Sequence, residues 1–155
     1  MENHLQTYLK QIAETTTRGD AREESYYPFL KTLMEAMGGR QAAVTVLPKS
    51  TDAGNPDFRV WDGRQHITGY IEAKTPGSNL DHIEATDQLQ RYLSVFPNLI
   101  LTDFYEFRLY REGRLVLHTQ IARPFIAAAM HTRPPLENAG AFEALASQFF
   151  SFSLP

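Results

Sequence analysis

Asp57, Glu72 and Lys74 are the residues whose types and spacing point to chemistry. Asp57 opens the short segment Asp57-Phe58-Arg59-Val60-Trp61; after the turn residues Asp62-Gly63-Arg64, a second segment runs from His66 to Ala73. The pair reads as a β-hairpin. With the turn centred near Arg64, residues whose numbers sum to about 129 lie opposite each other, which sets Asp57 against Glu72. Opposed residues project to the same side of a sheet, and Lys74, two positions beyond Glu72, points the same way. Two carboxylates ~4–5 Å apart repel by roughly 3–4 kcal/mol at an effective dielectric of ~20. A divalent cation offsets that repulsion, and Mg²⁺ suits the place because it takes one or two carboxylates together with phosphate oxygens and water. An ammonium beside it can orient or help deprotonate an attacking water and balance charge growing on phosphorus. The chemistry implied is metal-assisted hydrolysis of a phosphodiester.

The elements that must position these groups follow from periodicity. Leu5, Tyr8, Leu9 and Ile12 form one stripe of an amphipathic helix. Tyr26, Leu30, Leu33, Met34 and Met37 form a second, stopped by Gly38-Gly39. Asp20 and Glu23 have capping-box spacing, which places Pro28 inside that helix as a kink; a start nearer Ser25 is the other reading. Residues 42–48 are β-branched and short, a strand ending at Pro48. In the 66–74 arm Ile67, Gly69, Ile71 and Ala73 alternate with His66, Thr68, Tyr70, Glu72 and Lys74, so one face goes to the core and the other carries functional groups. Thr75 to Asn79 breaks the strand, Asp81 to Val95 reads as one helix, and Leu99 to Thr102 as a strand buried on both faces. A further hairpin, Phe104 to Tyr110 and Leu115 to Thr119, closes at Glu112-Gly113, and Ala141 to Phe152 is helical. The order is helix, three strands, helix, strand.

Composition bounds the rest. The 155 residues fit one domain, with 43% hydrophobic and 21% charged residues in the ordinary globular range. Zero cysteines exclude disulfides, thiolate zinc sites and cysteine nucleophiles. The histidines (4, 66, 82, 118, 131) do not pair at helical spacing, so a metal here is oxygen-bound. No apolar run is long enough to span a membrane and no secretory signal opens the chain, so a cytoplasmic location is expected. The net charge of −3 counts against unaided grip on a polyanion, so another part of a longer polypeptide is expected to supply affinity. The last residues, Phe149 to Pro155, stop abruptly after an apolar segment, which reads as a piece of such a polypeptide.

Asn55-Pro56-Asp57, fourteen intervening residues, then Glu72-Ala73-Lys74 resembles the PD-(D/E)XK nuclease motif. Gln88-Leu89-Gln90-Arg91-Tyr92 is similar to the QxxxY element of RecB-like members. Glu23-Glu24-Ser25-Tyr26-Tyr27-Pro28 is similar to the glutamate element before the core strands in nuclease domains of fused restriction-methylation enzymes. The resemblance covers about residues 20–118, with 120–155 a C-terminal helical extension. It implies an α/β restriction-endonuclease-like αβββαβ core, a mixed central sheet flanked by helices. It also implies a Mg²⁺-dependent endonuclease, with Mn²⁺ as substitute, acting on double-stranded DNA. Methyltransferase and target-recognition domains would follow in the same polypeptide, and two copies could pair during cleavage.

On this resemblance the catalytic set is Asp57, Glu72, Lys74, Gln88 and Glu23, and the metal set Asp57, Glu72 and Glu23. Glu23 and Glu24 compete for one role; at about 100° per residue Glu23 falls within the apolar stripe and Glu24 lies away from it. Gln88 would contact metal-bound water or phosphate, and Tyr92 would pack with its hydroxyl at the cleft. Thr75 and Ser78 are candidate phosphate donors, Lys49, Arg59 and Arg91 candidate backbone-tracking cations, and Trp61 reads as structural. The bland readings stand beside these: a solvated strand face for Glu72 and Lys74, plain capping for Glu23, a surface helix residue for Gln88. The alternative function is a catalytically inactive module of the same fold that binds nucleic acid or serves structure. Junction resolution or repair on the same core is a third.

Overall fold

The computed structural model describes residues 2–39, 42–124 and 134–152. Its elements are α1 (Glu2–Thr17), a 3₁₀ turn (Glu23–Tyr26), α2 (Tyr27–Gly38), β1 (Ala43–Val46), β2 (Phe58–Trp61), β3 (Ile67–Ala73), α3 (Leu80–Glu84), α4 (Asp87–Val95), β4 (Asn98–Thr102), β5 (Glu106–Arg111), β6 (Arg114–Gln120) and α5 (Ala139–Phe150). Parts of the expected C-terminal extension, 125–133 and 153–155, lie outside the described residues. The six strands form one sheet in sequence order. It is mixed: β3 and β4 run parallel, and the other neighbours antiparallel. The parallel pair needs a crossover, which α3 and α4 supply. The expected αβββαβ order, α2 through β4, is therefore present.

Two apolar clusters cover the two faces. On one face Leu5, Tyr8, Leu9 and Ile12 of α1, Leu30, Leu33 and Met34 of α2, and Phe142, Leu145 and Phe149 of α5 bury Phe58, Val60, Ile71, Ala73 and Ile100. On the other face Leu89, Tyr92 and Phe96 cover Tyr70, Leu99, Leu101 and Tyr110. The reading of β3 as a one-sided strand is corrected here, since every residue from Thr68 to Ala73 is buried. Helix α4 supplies the second cover, and its packing partner lies too far along the chain for strand periodicity to reveal it. Close packing also fixes Gly69, where an added Cβ would stand 2.5 Å from the carbonyl oxygen of Asn98 and 2.8 Å from the Phe149 ring.

Three further expectations are corrected by capping. The helix read as Asp81–Val95 is two helices, because Asn79 accepts from the N–H of His82 and Thr86 then accepts from the N–H of Leu89, each starting its own helix. Asp20 and Glu23 form no capping box. The N–H of Arg22 donates to Ser25 Oγ instead, and Pro28 sits in the first turn of α2, where its missing N–H costs nothing. The hairpin arm read from Phe104 begins at Glu106, since Asp103 accepts from the N–H groups of Tyr105 and Glu106 and turns the chain there. At the other end Glu112 and Gly113, with φ of 52° and 78°, make the expected tight turn.

Helix α3 is fastened to the sheet by Arg108 of β5. Its guanidinium meets Asp81 at 2.7 Å, Glu84 at 3.3 Å and Glu106 at 2.8 Å, and the Tyr110 hydroxyl bonds Glu84 as well. Placing α3 places α4, which carries Gln88 and Tyr92. No helix among the described residues is long and apolar enough to cross a membrane.

Candidate active site

Register sets the site. Phe58 pairs with Ile71, Arg59 with Tyr70 and Val60 with Gly69, so the ladder continued by one residue sets Asp57 against Glu72. The main chains and side chains interlock there. The Asp57 N–H donates to Glu72 Oε1 at 3.2 Å, and the Ala73 N–H donates to Asp57 Oδ2 at 2.8 Å. Lys74 Nζ stands 3.2 Å from Glu72 Oε2. Its own N–H donates to the Thr102 carbonyl at 2.9 Å, which carries the parallel pairing with β4 up to the lysine. Asp57 is half-buried and Glu72 only 3% exposed.

A carboxylate so buried is electrostatically costly. Burial pushes the Glu72 carboxyl up to about 8, Asp57 beside it adds to the rise, and Lys74 pulls the other way. The acids outweigh the one ammonium between them. This is the condition that a bound divalent cation relieves, and the donors present, hard carboxylate oxygens, fit Mg²⁺.

Glu23 comes to the edge of this pair from the 3₁₀ turn. Its Oε1 accepts from the Tyr27 hydroxyl at 3.1 Å, and the Thr75 N–H faces it and favours its charged form. Burial raises its carboxyl above the usual range, with Asp57 adding to the effect and Lys74 reducing it. Glu24 is exposed, so of the two Glu23 is the one beside the acids. Yet among the described residues no three acidic or histidine side chains converge closely enough to cage an ion. Glu23 is thus gathered into the electrostatic neighbourhood without joining Asp57 and Glu72 in a three-ligand set.

On the α4 side Tyr92 packs as expected and Gln88 stays at the surface. Gln88 is exposed and its Nε2 donates to the Tyr92 hydroxyl at a long 3.4 Å. The buried Tyr92 is the one that feels the acids: burial first, then Glu72 and Asp57, push its hydroxyl up to about 12, while the Asn55 N–H and Arg91 lower it. Thr75 and Ser78 hydroxyls bond one another at 3.1 Å, on the exposed loop after Lys74. Arg91 Nε donates to the Ala53 carbonyl at 2.9 Å, and Lys49 is exposed.

Two participants escaped the sequence reading. Tyr27 packs its ring at 4.8 Å from Phe58 and sets its hydroxyl between Glu23 and Asp57, where burial and both acids hold it far above its ordinary value. The i,i+4 spacing of Glu23 and Tyr27 is the signal that could have found it. Asp103, 3% exposed, accepts from the Gly77 N–H at 3.1 Å and so ties the loop after Lys74 to the end of β4. Its isolated position in the sequence carried no such signal.

No protein-family model matches the chain, and no curated protein matches it. Among solved structures, a cryo-electron-microscopy structure of a DrdV–DNA complex is similar, with a TM-score of 0.71 and 22% identity over 97% of this chain. The likeness is one of fold. This chain spans about 14% of the length of that one.

Proposed function

We propose that this chain is a Mg²⁺-dependent endonuclease domain that hydrolyses phosphodiester bonds of double-stranded DNA. The observation that carries the reading is the interlocked pair Asp57 and Glu72, two carboxylates on adjacent strands with Lys74 at 3.2 Å from the second. A purely structural or binding role gains nothing from a buried repulsive pair. The presence of DNA in the structurally similar complex supports the substrate class.

Asp57 and Glu72 are the residues that would hold the metal, which when bound supplies Lewis-acid polarisation of a phosphate oxygen and a more acidic water. The chain's own groups do the rest. Lys74, held by the Thr102 carbonyl through its main chain and by Glu72 through its ammonium, is placed to orient the attacking water and to balance negative charge on the phosphate. Glu23 and Tyr27 hold the position of Asp57 from the α2 side, and Tyr92 lines the opposite wall with Gln88 at the rim. Mn²⁺ serves in place of Mg²⁺. The short span relative to the DrdV chain supports a setting within a longer restriction-modification polypeptide, where methyltransferase and target-recognition domains supply specificity and two copies meet to cut both strands.

The test is supercoiled plasmid incubated with the protein, with Asp57→Ala and with Lys74→Ala, with and without Mg²⁺. Nicking by the unaltered protein alone, and only with metal, is expected. Equal nicking by all three refutes the assignment.

A further inference from the structure

We propose that Arg59 forms a second phosphate site, gripping the DNA backbone one step away from the bond that is cut. This deepens the nuclease reading and rests on it. Arg59 lies two residues beyond Asp57 on β2, about 7 Å along the strand. With the guanidinium turned onto Tyr70 and Trp61, that offset suits a phosphate beside the scissile one. The alternation of β2 sends Phe58 and Val60 into the core and leaves Arg59 and Trp61 on the face shared with Asp57 and Glu72.

The guanidinium is held without being neutralised. Its central carbon lies 5.5 Å from the Tyr70 ring and 6.0 Å from the Trp61 ring. Tyr70 is itself stacked on Phe96 at 4.0 Å, and Trp61 Nε1 donates to Thr45 Oγ1 at 3.3 Å, so both supports are fixed. Its one hydrogen bond among the described residues is a long contact, 3.4 Å, from Nη2 to the Lys49 carbonyl, and the buried Nε has no partner. No carboxylate among the described residues pairs with it, whereas Arg108 and Arg123 are each met by acids. A planar cation oriented by aromatic faces, short of acceptors and beside an acidic metal site, suits a phosphodiester oxygen. It also adds positive charge beside the acidic pair, in a chain of net charge −3.

Binding of a short fluorescent DNA duplex, measured with Ca²⁺ in place of Mg²⁺ over a range of salt concentrations, tests this. Arg59→Gln is expected to weaken binding about tenfold and to lower the slope of log affinity against log salt by about 1. Arg59→Lys keeps the charge and loses the stacked fork, so it should keep the slope while binding more weakly. Unchanged affinity and slope in both variants, with the unaltered protein binding and cutting, overturns the Arg59 site alone. A protein that neither binds nor cuts DNA overturns the nuclease reading together with it. Should Arg59→Gln fail to fold, Arg59→Lys decides: affinity equal to that of the unaltered protein refutes the proposal.

Discussion

Asp57 and Glu72 hold one another through the main chain: the Asp57 N–H donates to the Glu72 carboxylate, and the N–H of Ala73, the residue after Glu72, donates to the Asp57 carboxylate. The bonds fix the two acids at a separation their charges oppose. Stability and activity are therefore set against each other at this pair.

Replacing Glu72 with Gln removes the buried charge and keeps an oxygen to accept from the Asp57 N–H. In the metal-free protein at pH 8 it should raise stability by about 1–3 kcal/mol and abolish metal-dependent cleavage. Urea denaturation in EDTA beside plasmid nicking checks both. A variant that is less stable and still cuts contradicts the account.

The same pair gives a pH dependence. The folded Glu72 carboxyl titrates near 8, above its ordinary value of 4.5, so the folded state holds a proton that the unfolded chain has lost between those limits. Stability then falls as pH rises through that window. Melting curves without metal should show the advantage of Glu72→Gln absent near pH 4.5 and growing toward pH 8. Parallel curves for the two proteins would count against a buried, raised carboxyl.

Tyr27 acts through its hydroxyl between Glu23 and Asp57, while its ring is packed on Phe58. Tyr27→Phe is expected to cost no more than about 1 kcal/mol of stability and to slow cleavage about tenfold. Glu23→Gln should slow it in the same way, and the double variant should be little worse than either single one. Additive losses would show that the two act separately.

Arg108 faces three carboxylates and is 11% exposed. Arg108→Ala leaves Glu84 and Glu106 without their main counter-charge and frees α3 from the sheet. A loss of about 2–4 kcal/mol is expected in urea denaturation, with faster amide exchange in α3 and α4. Exchange unchanged in those helices would mean that apolar packing alone holds them.

Gly69 admits no side chain, because a Cβ would meet the Asn98 carbonyl oxygen at 2.5 Å. Gly69→Ala should lower stability by about 3 kcal/mol or more through forced separation of β3 from β4. A melting temperature equal to that of the unaltered protein would show that the strands can part at little cost.

Much of this architecture was legible in one dimension. The stripe of α1, the strand pairing and turn signals of the 57–73 hairpin, and the Glu112-Gly113 turn depend on residues close in the chain, and each is present, whereas the one-sided alternation read for β3 is not. The Asp57–Glu72 register was legible for the same reason, since a tight hairpin fixes pairing by counting. The break at Thr86 was missed because helical periodicity runs through it, and only the capping oxygen distinguishes a second start. That Gln88 stays exposed beside the buried Tyr92 was not legible, because exposure depends on how α4 lies on the sheet, which no local pattern sets.

The sequence by itself determined which groups could share a site: two acids and an amine, brought together by a turn and by the two-residue period of strands. Tertiary structure decided how those groups behave. Covering β3 with α4 as well as with α1, α2 and α5 took Glu72 out of water, and this gave an ordinary acid its raised affinity for a proton. The docking of the 3₁₀ turn and α2 brought Tyr27 to Asp57 across 30 positions of chain. Pairing between neighbours in sequence follows from geometry that the backbone repeats, whereas desolvation depends on distant segments whose meeting only the folded core specifies.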